Sequence, residues 1–337
     1  MRWLGLIMAT ALLVAGCATG TRPSAQAKSE SVPSPFPDQG PYRQAVDAAV
    51  SRKLTVWLDG DLVKRWAEGP TSFDAAVRRL SALAVRRGVV GIKIADELGY
   101  HDALDNDPSR VSAFLNAAAA ALRPRIHGKR ILVDIIAPEL GCAPGVSNLR
   151  GSAALCRPMA RAKYPALTLD QIDRYLDSGT VDAVDLSTQL LPEADYRSWG
   201  IDRMTAQEAA WREVQRREWL RKVVLNGRRG LAHPDDYRGD AGSAEADVKL
   251  FVDVPLHTGA AAVSIWTWRQ VYKGQVVRLL DPGLRPNPLW NSLLARRRTG
   301  EVLFTSFSPS STERGVGADL DMLSRVFSGV YVAAGIG

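Results

Sequence analysis

Apolar positions along the chain fall into two alternating periods. Segments in which they recur every three or four residues, the spacing of one helix face, alternate with short β-branched runs in which they recur every second residue. Nearly every short run closes on a polar or acidic residue. In order these closures are Asp59, Asp96 with Glu97, Asp134, Asp185, Asn226, Trp266 through Trp268, and Thr305 with Ser306. The pattern predicts a helix over 41–51 and then eight strands, at 54–59, 89–98, 131–137, 183–188, 222–226, 261–268, 302–307 and 330–334. Between them it predicts helices over 73–87, 108–122, 169–176, 205–221, 244–254, 287–298 and 320–327. The pair Asp107–Pro108 marks the start of the second of these, with a capping side chain and a pre-set φ.

Eight strands with a helix before each predict an α/β fold, a closed (β/α)8 barrel. Helix 41–51 is an extra N-terminal helix that takes the place where an eighth helix usually closes the ring. An open doubly wound sheet is the competing architecture, but the first strand is not followed by the Gly-rich turn of that fold. In such barrels functional groups sit where the strands run out, so carboxylates at successive strand ends mark one rim.

Side-chain alternation assigns the barrel interior. Val90, Ile92 and Ile94 form an outward face, which turns Gly91, Lys93, Ala95 and Glu97 inward and Asp96 toward the helices. With Ile131, Val133 and Ile135 outward, Asp134 faces in. Val184 and Leu186 outward leave Ala183, Asp185, Ser187 and Gln189 inward. The first strand contributes Thr55, Trp57 and Asp59, the fifth Asn226, and the sixth Ser264, Trp266 and Trp268. The expected result is a ring of Asp59, Glu97, Asp134, Asp185 and Asn226 walled by two indoles, with Lys93 beneath Glu97.

The first forty residues are of a different kind. Arg2 precedes an apolar run from Trp3 to Val14, too short for a membrane span and suited to an export signal. The run ends in Val14-Ala15-Gly16-Cys17, which resembles a bacterial lipobox. That resemblance implies cleavage before Cys17 and a lipid on its sulfur. Residues 18–41, rich in Ser, Pro, Ala, Gly and Gln, cannot bury a core and read as a flexible tether. The expected organisation is therefore a lipoprotein signal at 1–17, a tether at 18–41 and one barrel domain at 42–337, extracytoplasmic, monomeric and held to the cell membrane through Cys17.

The remaining two cysteines, Cys142 and Cys156, are an even number in an oxidising compartment and predict a disulfide across a Gly-, Pro-, Ser- and Asn-containing loop without regular structure. Closing a loop of that size contributes about 3 kcal/mol. No His or further Cys lies at zinc-ligand spacing, and a metallohydrolase barrel would want paired His after the first strand, so neither metal nor cofactor is expected. The chain carries 43 Lys and Arg against 36 Asp and Glu, a net charge of +7. The Arg residues are scattered over many helices rather than gathered in a stripe with aromatic interleaving, which argues against nucleic acid as a partner.

Paired carboxylates beside indoles suit glycoside hydrolysis. One carboxylic acid protonates the departing oxygen, a second carboxylate attacks or activates water, and indoles stack on sugar rings. Glu97 is the expected acid/base, with Asp185 and then Asp134 as the second carboxylate. Asp59, Lys93, Asn226, Trp266, Trp268 and Arg269 are the expected substrate contacts, and Tyr272 and Lys273 extend a binding rim. Asp96, turned outward, is expected to be structural.

The run Ile94-Ala-Asp-Glu97-Leu-Gly at a strand end, with Ser264-Ile-Trp-Thr-Trp268 near the last strands, resembles the TIM-barrel glycoside hydrolases. The resemblance implies an oligosaccharide or polysaccharide substrate. It departs from the commonest pattern, a Glu closing both the fourth and seventh strands, because the seventh strand here ends in Thr305-Ser306-Phe307-Ser308. A carbohydrate-binding lipoprotein that keeps the barrel without turnover is the alternative. Two lesser readings are an imine-forming Lys93 and a phosphate cradle at Ser308, Ser310 and Ser311.

Overall fold

The computed structural model describes residues 40–336, a range lying within a compact unit that spans Phe36–Gly337. The leader, Cys17 and the tether up to residue 39 lie outside the described residues. Ten strands occur in chain order: β1 (Thr55–Asp59), β2 (Val89–Lys93), β3 (Arg130–Ile136), β4 (Ala183–Ser187), β5 (Val223–Gly230), β6 (Ala262–Trp266), β7 (Arg269–Tyr272), β8 (Gln275–Arg278), β9 (Leu303–Phe307) and β10 (Gly329–Ala333). For β5 the described part is the backbone.

Eight of these strands close a parallel barrel in the order β1, β2, β3, β4, β5, β6, β9, β10, with β10 pairing back onto β1. Strands β7 and β8 form a separate antiparallel hairpin. The predicted (β/α)8 barrel is therefore the fold. The helix Gly40–Ser51 buries Ala45, Val46 and Ala49 and packs on β1, β10 and the helix Val316–Leu323, so it occupies the closing position. Gly40, expected in the tether, already belongs to this helix, whose predicted start is residue 41.

Local chemistry starts the helices where expected. The Asp107 carboxylate accepts from the backbone N–H of Ser109 (2.7 Å) at the head of Pro108–Leu122. Asp202 accepts from Thr205 N–H (2.7 Å) ahead of Arg203–Arg216, and Asn287 from Trp290 N–H (2.8 Å) ahead of Pro288–Arg298. Each satisfies a backbone donor that a helix start leaves without an internal partner.

Two cores follow from the alternation. Between barrel and helices lie Val56, Leu58, Ile92, Ile131, Val133, Val184, Leu186, Val263, Ile265, Val330 and Val332 with the apolar helix faces. Inside the barrel a smaller cluster joins Trp57, Leu132, Ala183, Ala262, Phe304 and Tyr331. Each of Trp57, Leu132 and Ala183 sits two positions before an acidic residue of the same strand, so the barrel is plugged below and acidic above. Gly91 makes room for this plug, since a Cβ there would collide with the Trp57 ring and the Arg130 carbonyl. The β1–β2 register slips at this point, and Val90 packs with the inner cluster, not with the helices as alternation alone suggests.

Other departures concern the ends and the long connections. β2 stops at Lys93 and β6 at Trp266, both short of expectation. The segment after β3, expected to lack regular structure, contains a 3-10 turn at Leu140–Cys142 and a helix at Ala153–Lys163 that includes Cys156. Cys142 and Cys156 are joined, as the cysteine count predicts, with Cα atoms 5.6 Å apart.

Candidate functional site

A cavity of about 370 Å³ opens at the end of the barrel where the strands finish. Its wall takes Asp59 from β1, Lys93 from β2, Asp96 just after β2, Trp266 from β6, Tyr331 from β10, and Ser306 at the end of β9. The first strand of the hairpin adds Arg269, Gln270 and Val271, and the loop after β9 adds Ser308, Ser310 and Ser311.

The centre is a charge triplet. The Lys93 ammonium, 4 % exposed, lies 2.9 Å from an Asp59 carboxylate oxygen and 3.2 Å from one of Asp96, and 5.3 Å from the centre of the Tyr331 ring. A buried ammonium needs such partners, because transferring it from water without them costs several kcal/mol. Two carboxylates around one ammonium leave the triplet with one negative charge in excess.

Asp61, two residues beyond Asp59, registers that field. Burial raises its carboxyl most and the neighbouring charge of Asp59 next. The hydrogen bond from Val63 N–H (3.3 Å) opposes them, Asp96 raises it further, and Lys93 lowers it, for a result pushed up to about 6. The folded protein thus holds a proton on Asp61 up to about pH 6, whereas the unfolded chain releases it near pH 4. Between those values the folded state binds more protons, so this group's contribution to stability falls as pH rises through the window and stays low above it. Asp61→Asn is expected to gain about 2 kcal/mol at pH 8, discounted for partial exposure, and almost nothing below pH 4. Urea denaturation at the two pH values checks this; an equal gain at both would remove ionisation as the cause.

Asp134 and Asp185 stand directly opposite each other on β3 and β4. They are inside the barrel, as alternation predicts, but only 2 % and 3 % exposed, and they are not part of the cavity wall. Their contact with the site is through Tyr331. Burial, then the negative charges of Asp185, Asp134 and Asp59, push that phenol well above the usual tyrosine range. Tyr331 is therefore a neutral hydroxyl at the boundary between the cavity and the buried carboxylates.

Asp59, Lys93, Trp266 and Arg269 come together as expected, and three residues, Glu97, Asp96 and Trp268, lie elsewhere than expected. Glu97 does not line the cavity and Asp96 does. The alternation that assigned them ends with β2 at Lys93, and the chain then turns, Glu97 taking a left-handed φ of 51° and Gly99 one of 72°. The neighbouring Tyr100 hydroxyl, pushed up to about 12 mainly by burial, accepts from Gln189 and bonds Tyr164. Trp268 likewise does not line the cavity. It is 2 % exposed, donates its indole N–H to Asp319 (2.9 Å) and packs edge-on against Trp290. Asn226 falls in β5, where side chains lie outside the described residues.

Arg269 is held at the rim by Glu313 (2.9 Å) and donates to the Ser311 hydroxyl (3.0 Å). Ser308 and Ser310 bond each other (2.8 Å). Among the described residues no group of three or more His, Cys, Asp or Glu is placed to hold a metal ion.

A larger cleft, of about 620 Å³, lies at the opposite end, around Asp173, Asp177, Arg216, Arg217, Trp219 and Lys222. These residues precede β4 and β5, the end of a barrel that serves stability. Its charges are consumed internally: Arg217 pairs with Asp173 and Glu213, and the Trp219 indole N–H donates to Asp173. The smaller cavity is the candidate site.

No protein-family profile matches the sequence, and no curated protein is significantly similar to it. Among solved structures, the chain is similar to the crystal structure of endo-1,4-beta-mannanase from Eisenia fetida. The two are 13 % identical over 82 % of this chain and 84 % of that one, with a TM-score of 0.39. The barrel itself is established by the pairing of its own strands.

Proposed function

We propose that this barrel acts on a carbohydrate as a glycoside hydrolase at the mouth formed by β1, β2, β6 and the hairpin, with Asp59 and Asp96 as its carboxylate pair. The observation that carries the reading is the convergence of those two carboxylates on Lys93 in a cavity walled by Trp266. Carboxylates beside an indole are what glycosidic cleavage requires. One carboxyl gives its proton to the glycosidic oxygen as the bond to the anomeric carbon breaks, and the other carboxylate attacks that carbon or takes a proton from the water that does. The Lys93 ammonium favours an ionised partner, while the burial and, after it, the neighbouring negative charge that lift Asp61 to about 6 favour proton retention close by. No metal or organic cofactor is needed for this reaction.

The alternative is a carbohydrate-binding protein without turnover. One observation favours it: both cavity carboxylates are tied to the same ammonium, so neither is set apart as the acid.

A panel of plant, fungal and bacterial polysaccharides incubated with the protein, with reducing ends counted and binding measured in parallel, separates the readings. Reducing ends released from one polysaccharide support the hydrolase. Saturable binding without release supports the binding protein, and the absence of both release and binding would overturn the carbohydrate reading.

The place of action we propose is the outer side of the cytoplasmic membrane, on a lipid carried by Cys17, with the barrel acting as a monomer. Cys17→Ala is expected to move the protein from the membrane pellet to the soluble fraction of fractionated cells. Retention in the pellet would sink the anchor.

A further inference from the structure

The hairpin of β7 and β8 is the one described sheet outside the barrel, and it is built as a rigid ridge. Its two-residue turn, Lys273–Gly274, has φ of 49° and 77°, the left-handed pair whose twist matches that of two antiparallel strands. Its base is fastened on both sides. Arg269 and Arg278 pair with Glu313 (2.9 and 3.5 Å), and His233 exchanges two backbone hydrogen bonds with Arg278 (2.8 and 3.0 Å).

The ridge also grips the cavity's indole. Gln270 accepts from the Trp266 indole N–H (3.0 Å), and the Tyr272 ring meets Trp266 edge to face at 5.2 Å. The Lys273 ammonium sits 5.2 Å from the centre of the Tyr272 ring. Tyr272 is thus fixed in orientation and yet 46 % exposed, and Val271 beside it is 60 % exposed. Of the exposed large apolar residues described, only Val271 is in the cavity wall; Tyr272 stands just outside it against Trp266, and Val85, Leu155, Met159 and Val302 also lie outside it.

We infer that this ridge is a second, outer binding platform, and that the occupant is a polysaccharide chain that leaves the cavity across Tyr272. The inference rests on the carbohydrate reading above and specifies its substrate as a polymer instead of a mono- or disaccharide. A cavity of about 370 Å³ is at the lower end of small-ligand sites and has room for about two sugar rings. A longer chain must continue over a wall. The hairpin wall is continuous with Trp266 and offers an aromatic ring already held in place, which lowers the ordering cost of stacking a sugar on it. Loops or long flexible side chains would lose more entropy for the same contact.

Calorimetric titration of the full protein with paired probes tests this: cellobiose and cellohexaose, mannobiose and mannohexaose, and the di- and hexasaccharides of xylan and chitosan. In whichever series binds, the hexasaccharide is expected to bind about tenfold tighter than the disaccharide. Tyr272→Ala should weaken the hexasaccharide by about fivefold and leave the disaccharide unchanged, and Tyr272→Phe should restore the difference, since the ring and not the hydroxyl makes the platform. Equal affinities for the two lengths in the wild type, or an equal loss of both in Tyr272→Ala, would overturn the platform while leaving the carbohydrate reading intact. Binding of no probe by the folded protein overturns the carbohydrate reading and the platform with it.

Discussion

Asp96→Asn is expected to lower turnover of the active polysaccharide by about a thousandfold, and Asp59→Asn by a similar factor, with little change in melting temperature. Asn keeps the shape of each side chain and an oxygen for the Lys93 ammonium, which retains its other carboxylate in either variant. The loss therefore falls on the reaction, where a neutral amide can neither donate a proton to the leaving oxygen nor attack carbon. Glu97→Gln belongs in the same experiment. Its side chain is not part of the cavity wall, so kcat/KM should stay within about twofold of wild type. The opposite ranking, Glu97→Gln inactive and Asp96→Asn active, would move the chemistry out of the cavity centred on Lys93.

The second large effect concerns the strap between β3 and β4. The double variant Cys142→Ser with Cys156→Ser is expected to lose about 3 kcal/mol of stability, the loop-closure entropy for the 14-residue separation of these cysteines. The loss should be felt first in the helix Ala153–Lys163, because among its residues only Ala153 is buried and the helix has almost no apolar hold on the barrel. Apart from the disulfide it is held by the buried Glu139 carboxylate, which accepts from Arg161 (2.7 Å) and Arg157 (3.3 Å) and from the backbone N–H of Leu169 (2.9 Å). Both Arg side chains are substantially exposed, so those pairs are screened and contribute little once the covalent link is gone. Urea denaturation gives the global loss, and hydrogen exchange gives its location. Unchanged protection over 153–163 in the variant would show that the helix is held by packing and not by the strap.

The barrel was legible in the sequence because the rule that reveals it is local. In a strand, neighbouring side chains point to opposite faces wherever the strand lies, so Trp57 and Asp59, Leu132 and Asp134, and Ala183 and Asp185 could be turned inward without knowing what they would meet. The disulfide was legible by count, since the two cysteines beyond Cys17 have one pairing. The helix 153–163 was not, because Pro, Cys and Gly around it read as loop and its anchor is a glutamate on another segment.

The site was legible only as far as the strands ran. Beyond Lys93 the ladder ends and the backbone enters left-handed turns, so counting by twos exchanged Asp96 with Glu97. Beyond Trp266, where β6 ends, it placed Trp268 in the pocket although its indole belongs to the core. Asp61 carries no signal at all in the linear chain. Its retained proton exists because folding buries Asp61 and brings the charges of Asp59 and Asp96 beside it, against the opposing pull of Lys93. The eight barrel strands and the facing of most of their side chains follow from periodicity along the chain, whereas the hairpin strands β7 and β8 do not show in it. Which carboxylates share Lys93, which indole lines the cavity and which proton is held are settled only on folding, because those depend on distances across the barrel between segments remote in sequence.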